Sequence, residues 1–271
     1  MAWDRAGLPP VGGPLRLMID IHTHVLAGLD DGARALEESV SMLRIAAECG
    51  TTDLVATPHA NLEFRYDPAL IDAKIAELDT ASGGIVRLYR GCDFHLCFEN
   101  IQDALANPAR YAINGRRYLL VEFPDLLIAK STGEVFARLG EAGLTPVITH
   151  PERNFLLHSR LDELALWVEQ GVLVQVTAQS FLGRFGPEAR EISRELMRRG
   201  LVHFVASDAH DAEDRAPRLD QAYQHVARRY GSGRAEALFQ VNPRAAIEGA
   251  PLPEQPRPEP PSARKWSRLW R

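Results

Sequence analysis

His22-Thr23-His24 places two imidazoles two residues apart, and Asp208-Ala209-His210 repeats the spacing with a carboxylate and an imidazole. On an extended chain, residues i and i+2 point to one face, so each pair can serve a single cation. His59 follows Thr57-Pro58, and His150 follows the apolar run Val147–Thr149. Glu122 ends Leu119-Leu120-Val121, and Asp93 stands just beyond Gly91. A carboxylate that closes an apolar run is expensive to bury unpaired, and a cation removes that cost. A lone imidazole such as His59 is as readily structural as metallic, and His22 with His24 could be a pair of core histidines. Five imidazoles and three carboxylates, each at the end of an apolar run, outweigh that simpler reading. Such a donor set suits Zn, Mn or Fe. The chemistry implied is that of a metal-dependent hydrolase.

Two guanidiniums accompany these donors. Arg153 stands three residues beyond His150, and Arg215 five beyond His210. A planar guanidinium offers bidentate donors to the oxygens of a phosphoryl group. The alternative for Arg153 is a pairing with Glu152 or a surface acid. Taken alone, Arg215 reads as a solvated loop arginine.

The donors need elements to gather them. Seven apolar runs (Ile19–Ile21, Leu54–Thr57, Ile85–Gly91, Leu119–Val121, Val147–Thr149, Val172–Val176 and Val202–Ala206) each lead into such residues, the sixth into Thr177 and Gln179. Between runs lie helical patterns, such as Leu36, Val40, Leu43 and Ala47 on one face. Gly50, Gly143, Gly171 and Gly200 each separate a helical stretch from the next run, as a helix C′ position requires. Repeated strand–helix–Gly–strand units imply a parallel α/β sheet. A barrel collects its strand C-termini at one face, whereas an open doubly wound sheet would spread seven strand ends along a line. A distorted (β/α)7 barrel is therefore expected over 18–249.

The flanks differ in character. Residues 1–17 hold tandem prolines and a Gly12-Gly13 pair and read as an irregular extension. From 250 to 271 the chain is proline-rich, expected to be extended and poorly ordered, and ends with two tryptophans among four cations. That ending would suit an acidic partner or an anionic membrane surface, while a solvated tail without a fixed partner is the simpler expectation.

Composition narrows the function. A length of 271 residues with 45% hydrophobic content supports one barrel-sized core. A net charge of −5 gives no field favouring nucleic acid. Three irregularly spaced cysteines fit a reducing, cytoplasmic setting, and no signal peptide or membrane-spanning run is expected. There is no phosphate-binding P-loop, no serine nucleophile elbow, and no cysteine followed six positions later by arginine. His95, His158, His203 and His225 lack ligand spacing and read as ordinary residues.

The motifs at 18–24, Asp30-Asp31-Gly32 with Glu37-Glu38-Ser39, Thr57-Pro58-His59, Val121-Glu122-Phe123, Thr149-His150-Pro151-Glu152-Arg153 and Ala206–His210 resemble the polymerase-and-histidinol-phosphatase (PHP) superfamily. More closely, the chain is similar to the manganese-dependent protein-tyrosine phosphatases encoded with bacterial capsule and exopolysaccharide genes, from 18 to about 248. The resemblance implies a PHP-type barrel holding up to three metals, Mn²⁺ foremost, with Fe or Zn as alternatives. It implies His22, His24, His59, Asp93, Glu122, His150, Asp208 and His210 as ligands, and Arg153 and Arg215 as phosphate contacts. The implied substrate is the phosphotyrosine tail of a bacterial tyrosine autokinase. Where the family usually reads Gly-x-Glu, this chain reads Gly91-Cys92-Asp93, one methylene shorter. A small-molecule phosphatase of the histidinol-phosphate type and a metal-bound, non-catalytic regulatory domain are the competing readings.

Overall fold

A computed structural model describes residues 17–124 and 126–258. The expected extension before Leu17 and the cationic tryptophan ending lie outside these residues. Among the described residues, nine strand segments, all paired in parallel, form two sheets. One contains β1 (Met18–Thr23), β2 (Thr51–Ala56) and β4 (Arg87–Arg90). The other runs β3 (His59–Ala60), β5 (Asp93–His95), β6 (Tyr118–Glu122), β7 (Thr145–Thr149), β8 (Leu173–Thr177) and β9 (Phe204–Ala206).

The nine segments are the seven apolar runs, two of them broken near their ends. Thr57-Pro58 separates β2 from β3, and Gly91-Cys92 separates β4 from β5. The breaks face each other, and Gly91 N donates to Ala56 O at 2.8 Å. A Cβ on Gly91 would fall 2.6 Å from Val55 Cγ1 and 2.9 Å from Thr57 Cγ2, so only glycine permits this approach. The ring closes where β9 meets β1. Asp208 N donates to His22 O at 2.9 Å, His24 N donates to Ala209 O at 2.8 Å, and Thr23 bridges Ala209 in parallel. Buried Asp20 seals the same seam by accepting from Ser207 N at 3.0 Å. The expected barrel is thus formed.

The core has two layers. Ile19, Ile21, Val55, Leu120, Val147, Phe204 and Ala206 belong to an inner cluster, and Leu54, Val121, Ile148, Val174 and Val205 pack outward under the helices. Leu120 leads to Glu122, and Ala206 to Asp208, two residues further on, so the inner face of each strand continues upward into a polar side chain. The first helix, α1 (Leu36–Glu48), buries Ser39, Met42, Leu43 and Ala46, while Leu36, Val40 and Ala47 only flank the core. The buried face is turned from the one the large residues suggested, because Ser39 and Ala46 are small enough to let the helix approach closely.

The last helix of the barrel, α2 (Asn242–Glu248), covers the opposite end. Arg244 and Arg87 both grip buried Asp53, tying the helix to β2 and β4. The proline-rich segment beyond it lies against the barrel. Tyr118 Oη donates to Ala250 O, Leu252 packs against the inner cluster, and Gln255 exchanges two 3.1 Å hydrogen bonds with the side chain of buried Asn242. Local side-chain pairing, which proline content does not reveal, holds it there.

Asn242 also donates to the carbonyl of His203 at 2.7 Å, and Val174 N donates to His203 Nδ1 at 3.1 Å. Burial, and then the Arg234 cation, hold the His203 imidazole down to about 3. Its unfolded value is near 6.5, so stability from this residue is complete above about pH 6.5 and is lost as pH falls from there toward about 3. Urea unfolding should report stability falling through that window, with His203 contributing up to about 1.4 kcal/mol per pH unit. His203→Gln should show a shallower acid slope whatever its stability at pH 7. Equal slopes in the two proteins would remove His203 as a source of acid sensitivity.

Candidate metal centre

The C-terminal ends of the strands bring together all eight candidate ligands in four overlapping groups. These are His22, His24 and Asp93; His22, His150 and Asp208; His59, Asp93 and Glu122; and His24, Asp31, His59 and His210, with donor atoms within 4.8 Å of one another in each. Asp93 belongs to two groups despite its short side chain. Its Oδ2 lies 3.4 Å from His22 Nε2 and 3.3 Å from His59 Nδ1. Glu122 stands 3.5 Å from His59 Nδ1 and 3.7 Å from His150 Nε2.

Two of these residues are held in unusual backbone. His150 has φ 32° and Asp208 φ 52°, the left-handed region that costs a non-glycine residue energy. Hydrogen bonds at Asp208 and at the residue before it hold it there: its own N–H donates to His22 O, and Ser207 N–H donates to Asp20.

The imidazoles are aimed by partners on their other nitrogens. His22 Nδ1 donates to Gln175 Oε1 at 3.0 Å, His24 Nδ1 pairs with Asp30 Oδ2 at 2.7 Å, and His210 Nδ1 donates to Asp208 O at 3.0 Å. That leaves each Nε2 facing the cluster, the arrangement in which an outer hydrogen bond fixes tautomer and orientation for a metal. Asp30 also accepts from His59 N at 3.1 Å and from Gly32 N at 3.0 Å. The loop folds so tightly over His24 that a Cβ on Gly32 would sit 2.1 Å from His24 O.

The electrostatics describe a site rich in negative charge. Burial alone would discharge His24, yet Asp30 and Asp208 outweigh it and raise its pKa to about 10. Burial likewise opposes charge on His22 and His59, but neighbouring carboxylates raise both above their ordinary value. Burial works against the charged forms of Asp93 and Asp208 too, yet the imidazoles, with Arg153 at Asp208, hold both below the usual carboxylate range. His150 goes the other way, down to about 3, from burial and then Arg153. Carboxylates that draw protons onto imidazoles offer the same attraction to a divalent cation, which would displace those protons. Among the described residues, both oxygens of fully buried Asp93 lack a hydrogen-bond partner. A buried anion without donors fits a metal better than a purely structural role.

Arg153 and Arg215 meet at the edge of this cluster. Arg153 Nη1 donates to Asp208 Oδ2, and Arg215 Nη2 donates to the same oxygen at 2.8 Å and to Asp208 O at 3.1 Å. The other carboxylate oxygen, Oδ1, faces His22 and His24 at 3.5 and 3.4 Å. Asp208 therefore joins the imidazoles to the guanidiniums. Glu152 is not the partner of Arg153. It is buried and accepts from Thr177 N at 2.9 Å and Ser180 Oγ at 2.7 Å.

Several placements differ from the sequence reading. Thr177 and Gln179, where the β8 run ends, bond to the loops that carry Arg153 and Arg215. Thr177 serves Glu152, and Gln179 Nε2 reaches Ala216 O at 3.4 Å. Gln175 is the residue of that strand that touches a candidate ligand; a lone amide inside the apolar run Val172–Val176 was its signal. Asp31, not assigned a role from sequence, lies 3.4 Å from His59 Nε2 and 3.5 Å from His210 Nε2. Its signal was the adjacent carboxylate pair before Gly32. His95, read as ordinary, stands 3.6 Å from Glu122. The thiols stay apart: burial lifts Cys49 to about 11 and Cys92 well above its usual range, and no cysteine enters a metal group.

Comparison with known proteins agrees with this geometry. The family described as "Capsular polysaccharide synthesis, CpsB/CapC" matches residues 18–248. CapC of Staphylococcus aureus is 36% identical over 211 residues, 76% of this chain and 82% of that protein. The tyrosine-protein phosphatase YwqE of Bacillus subtilis is 33% identical over 219 residues, 79% of this chain and 86% of its own length. A solved structure from work on YwqE and Streptococcus pneumoniae CpsB, described as metal-dependent tyrosine phosphatases, superposes with a TM-score of 0.84 at 30% identity, covering 90% of this chain and 99% of the other. Dihydropyrimidinase from Brevibacillus agri, 12% identical with a TM-score of 0.53, shares the fold alone. With the family's pattern matched from β1 to the end of α2, this chain is a member of the CpsB/CapC capsular polysaccharide synthesis family.

Proposed function

We propose that the chain is a metal-dependent phosphatase acting on phosphotyrosine in the tail of a bacterial tyrosine autokinase, and that it thereby regulates capsular or extracellular polysaccharide synthesis. The observation that carries this reading is the shared carboxylate of Asp208, which sets two guanidiniums beside a cluster of imidazoles and carboxylates. The relatives named tyrosine-protein phosphatases support the substrate class. We assign the activity to residues 18–249. Free cysteines suit the cytoplasm, where we place the protein; among the described residues, no helix is long and apolar enough to cross a membrane.

His22, His24, His59, Asp93, Glu122, His150, Asp208 and His210, with Asp31, would hold up to three ions, Mn²⁺ foremost. Such ions, when bound, lower the pKa of water and neutralise phosphate oxygens. The protein's own share is orientation and charge. Arg153 and Arg215 each keep donors beyond those committed to Asp208, and Arg215 Nε is buried without a partner among the described residues. These donors take the phosphoryl oxygens and stabilise the charge that develops as water attacks phosphorus in line. The departing phenolate has a conjugate-acid pKa near 10, so little proton donation is required of the protein.

Phosphotyrosyl peptide should be turned over in preference to histidinol phosphate, and the reverse preference would replace this substrate with a small molecule. Activity should disappear with a chelator, return with Mn²⁺, and survive alkylation of accessible thiols. Inactivation by alkylation with an unchanged circular dichroism spectrum would point instead to a thiol nucleophile. Gln175→Ala should weaken Mn²⁺ binding to metal-free protein about 10- to 100-fold in calorimetry, and unchanged affinity would mean that Gln175 does not set the orientation of His22. Arg153→Ala should keep its metal content while kcat/KM falls on the order of 10²–10³. Arg153→Lys should restore little, because an ammonium cannot replace a bidentate fork. Wild-type kcat/KM in Arg153→Ala would end the phosphate-contact assignment.

A further inference from the structure

β8 is followed by a short helix at Ala178–Phe181 and then the turn Gly183-Arg184-Phe185-Gly186, which leads into a longer helix at Gly186–Arg198. This connection, residues 178–186, contains no His, Cys, Asp or Glu. It does hold both arginine loops. Thr177 N and Ser180 Oγ bind Glu152, the neighbour of Arg153, and Gln179 Nε2 reaches the carbonyl of Ala216, the neighbour of Arg215. The turn is itself fastened, with Gly183 N donating to Ser180 O at 3.0 Å, Arg184 N to Gln179 O at 3.1 Å and Gly186 N to Gly183 O at 3.1 Å. Gly183 and Gly186 take φ of 82° and 91°, and the turn presents the half-buried ring of Phe185. Arg153 Cζ lies 4.4 Å from the centroid of that ring, and Arg215 Cζ lies 5.9 Å from it.

Two guanidiniums converging on one carboxylate oxygen repel each other, and a flexible side chain would relieve the repulsion by swinging into solvent. An aromatic face opposes that escape, since its quadrupole attracts a cation within about 6 Å. It leaves every N–H in the guanidinium plane free to donate. We propose that Phe185 is the positioning residue of the phosphate-binding pair: its ring fixes Arg153, and more weakly Arg215, with their donors turned toward the phosphoryl oxygens. This rests on the phosphatase reading above for its substrate, but its physical content is anion binding by two arginines held on one ring.

The test uses the full-length, Mn²⁺-loaded protein with two probes in calorimetry: inorganic phosphate, and phenylphosphonate, which is not hydrolysed. Phe185→Ala should weaken both probes about 3- to 10-fold, as loss of a partly desolvated cation–π contact would, with metal content unchanged. Phe185→Tyr should restore both. Phe185→Leu, which keeps bulk without a π face, should not. In an Arg153→Ala background, Phe185→Ala should change phosphate affinity less than about 2-fold, because residues that act as one unit are non-additive. Three results would each overturn the proposal: full rescue by Phe185→Leu, an undiminished loss in the Arg153→Ala background, or a loss confined to phenylphosphonate. The last would make the ring a contact for the substrate's aryl group. If the wild-type protein turned over no phosphotyrosyl peptide, the functional reading would fall while the phosphate titrations still decided the role of Phe185.

Discussion

The structure turns on the cost of gathering carboxylates where water is scarce. Asp31, Asp93, Glu122 and Asp208 converge on one end of the barrel, and Asp93 and Asp208 are buried there. Such a collection is tolerable only when cations or protons balance it. The polypeptide provides part of the balance through His22, His24 and His59, drawn toward their charged form, and through Arg153 and Arg215 on Asp208. The remainder is the opening for metal. Details that look independent, such as the Asp30 clasp on His24 and the Gln175 acceptor beneath His22, follow from the need to aim each nitrogen inward.

The barrel meets that need by departing from regularity. An unbroken β2 would carry its ladder past Thr57, whereas the break at Pro58 lets His59 face both Asp31 and Asp93. The matching break at Gly91 brings Asp93 alongside, in register with His59. At the seam, β1 and β9 are joined by bonds through the very residues that present His22, His24 and Asp208. Closing the ring and assembling the cluster are therefore one structural event. The positive φ of Asp208 is strain held in place by that closure.

Much of this was legible in the sequence because the period of the apolar runs and the identity of the residues that end them are local facts. Seven runs gave seven staves, and the glycines expected to end helices take positive φ, from 71° at Gly200 to 98° at Gly171. What escaped depended on long-range approach. Gln175 meets His22 across 153 positions, and nothing near β1 announces it. Asp31 sits in a loop whose fold is set by Gly32 pressing on His24. Phe185 reads as one more apolar residue until the loops of Arg153 and Arg215 come to rest on its ring. The face that α1 buries is set by tertiary approach, which places Ser39, Met42 and Ala46 beside Leu43 against the sheet.

The proline-rich segment docks at one particular end of the barrel. Asn242 and Gln255 fasten it at the end of the barrel where strands begin, and Pro256–Pro258 lie near Leu173 and His203, at the starts of β8 and β9. The metal-binding end faces the other way. A partner bound to residues 250–258 would grip the base of the barrel and leave the mouth free. Anchorage and turnover would then occupy opposite poles of the molecule, without competing for the same surface.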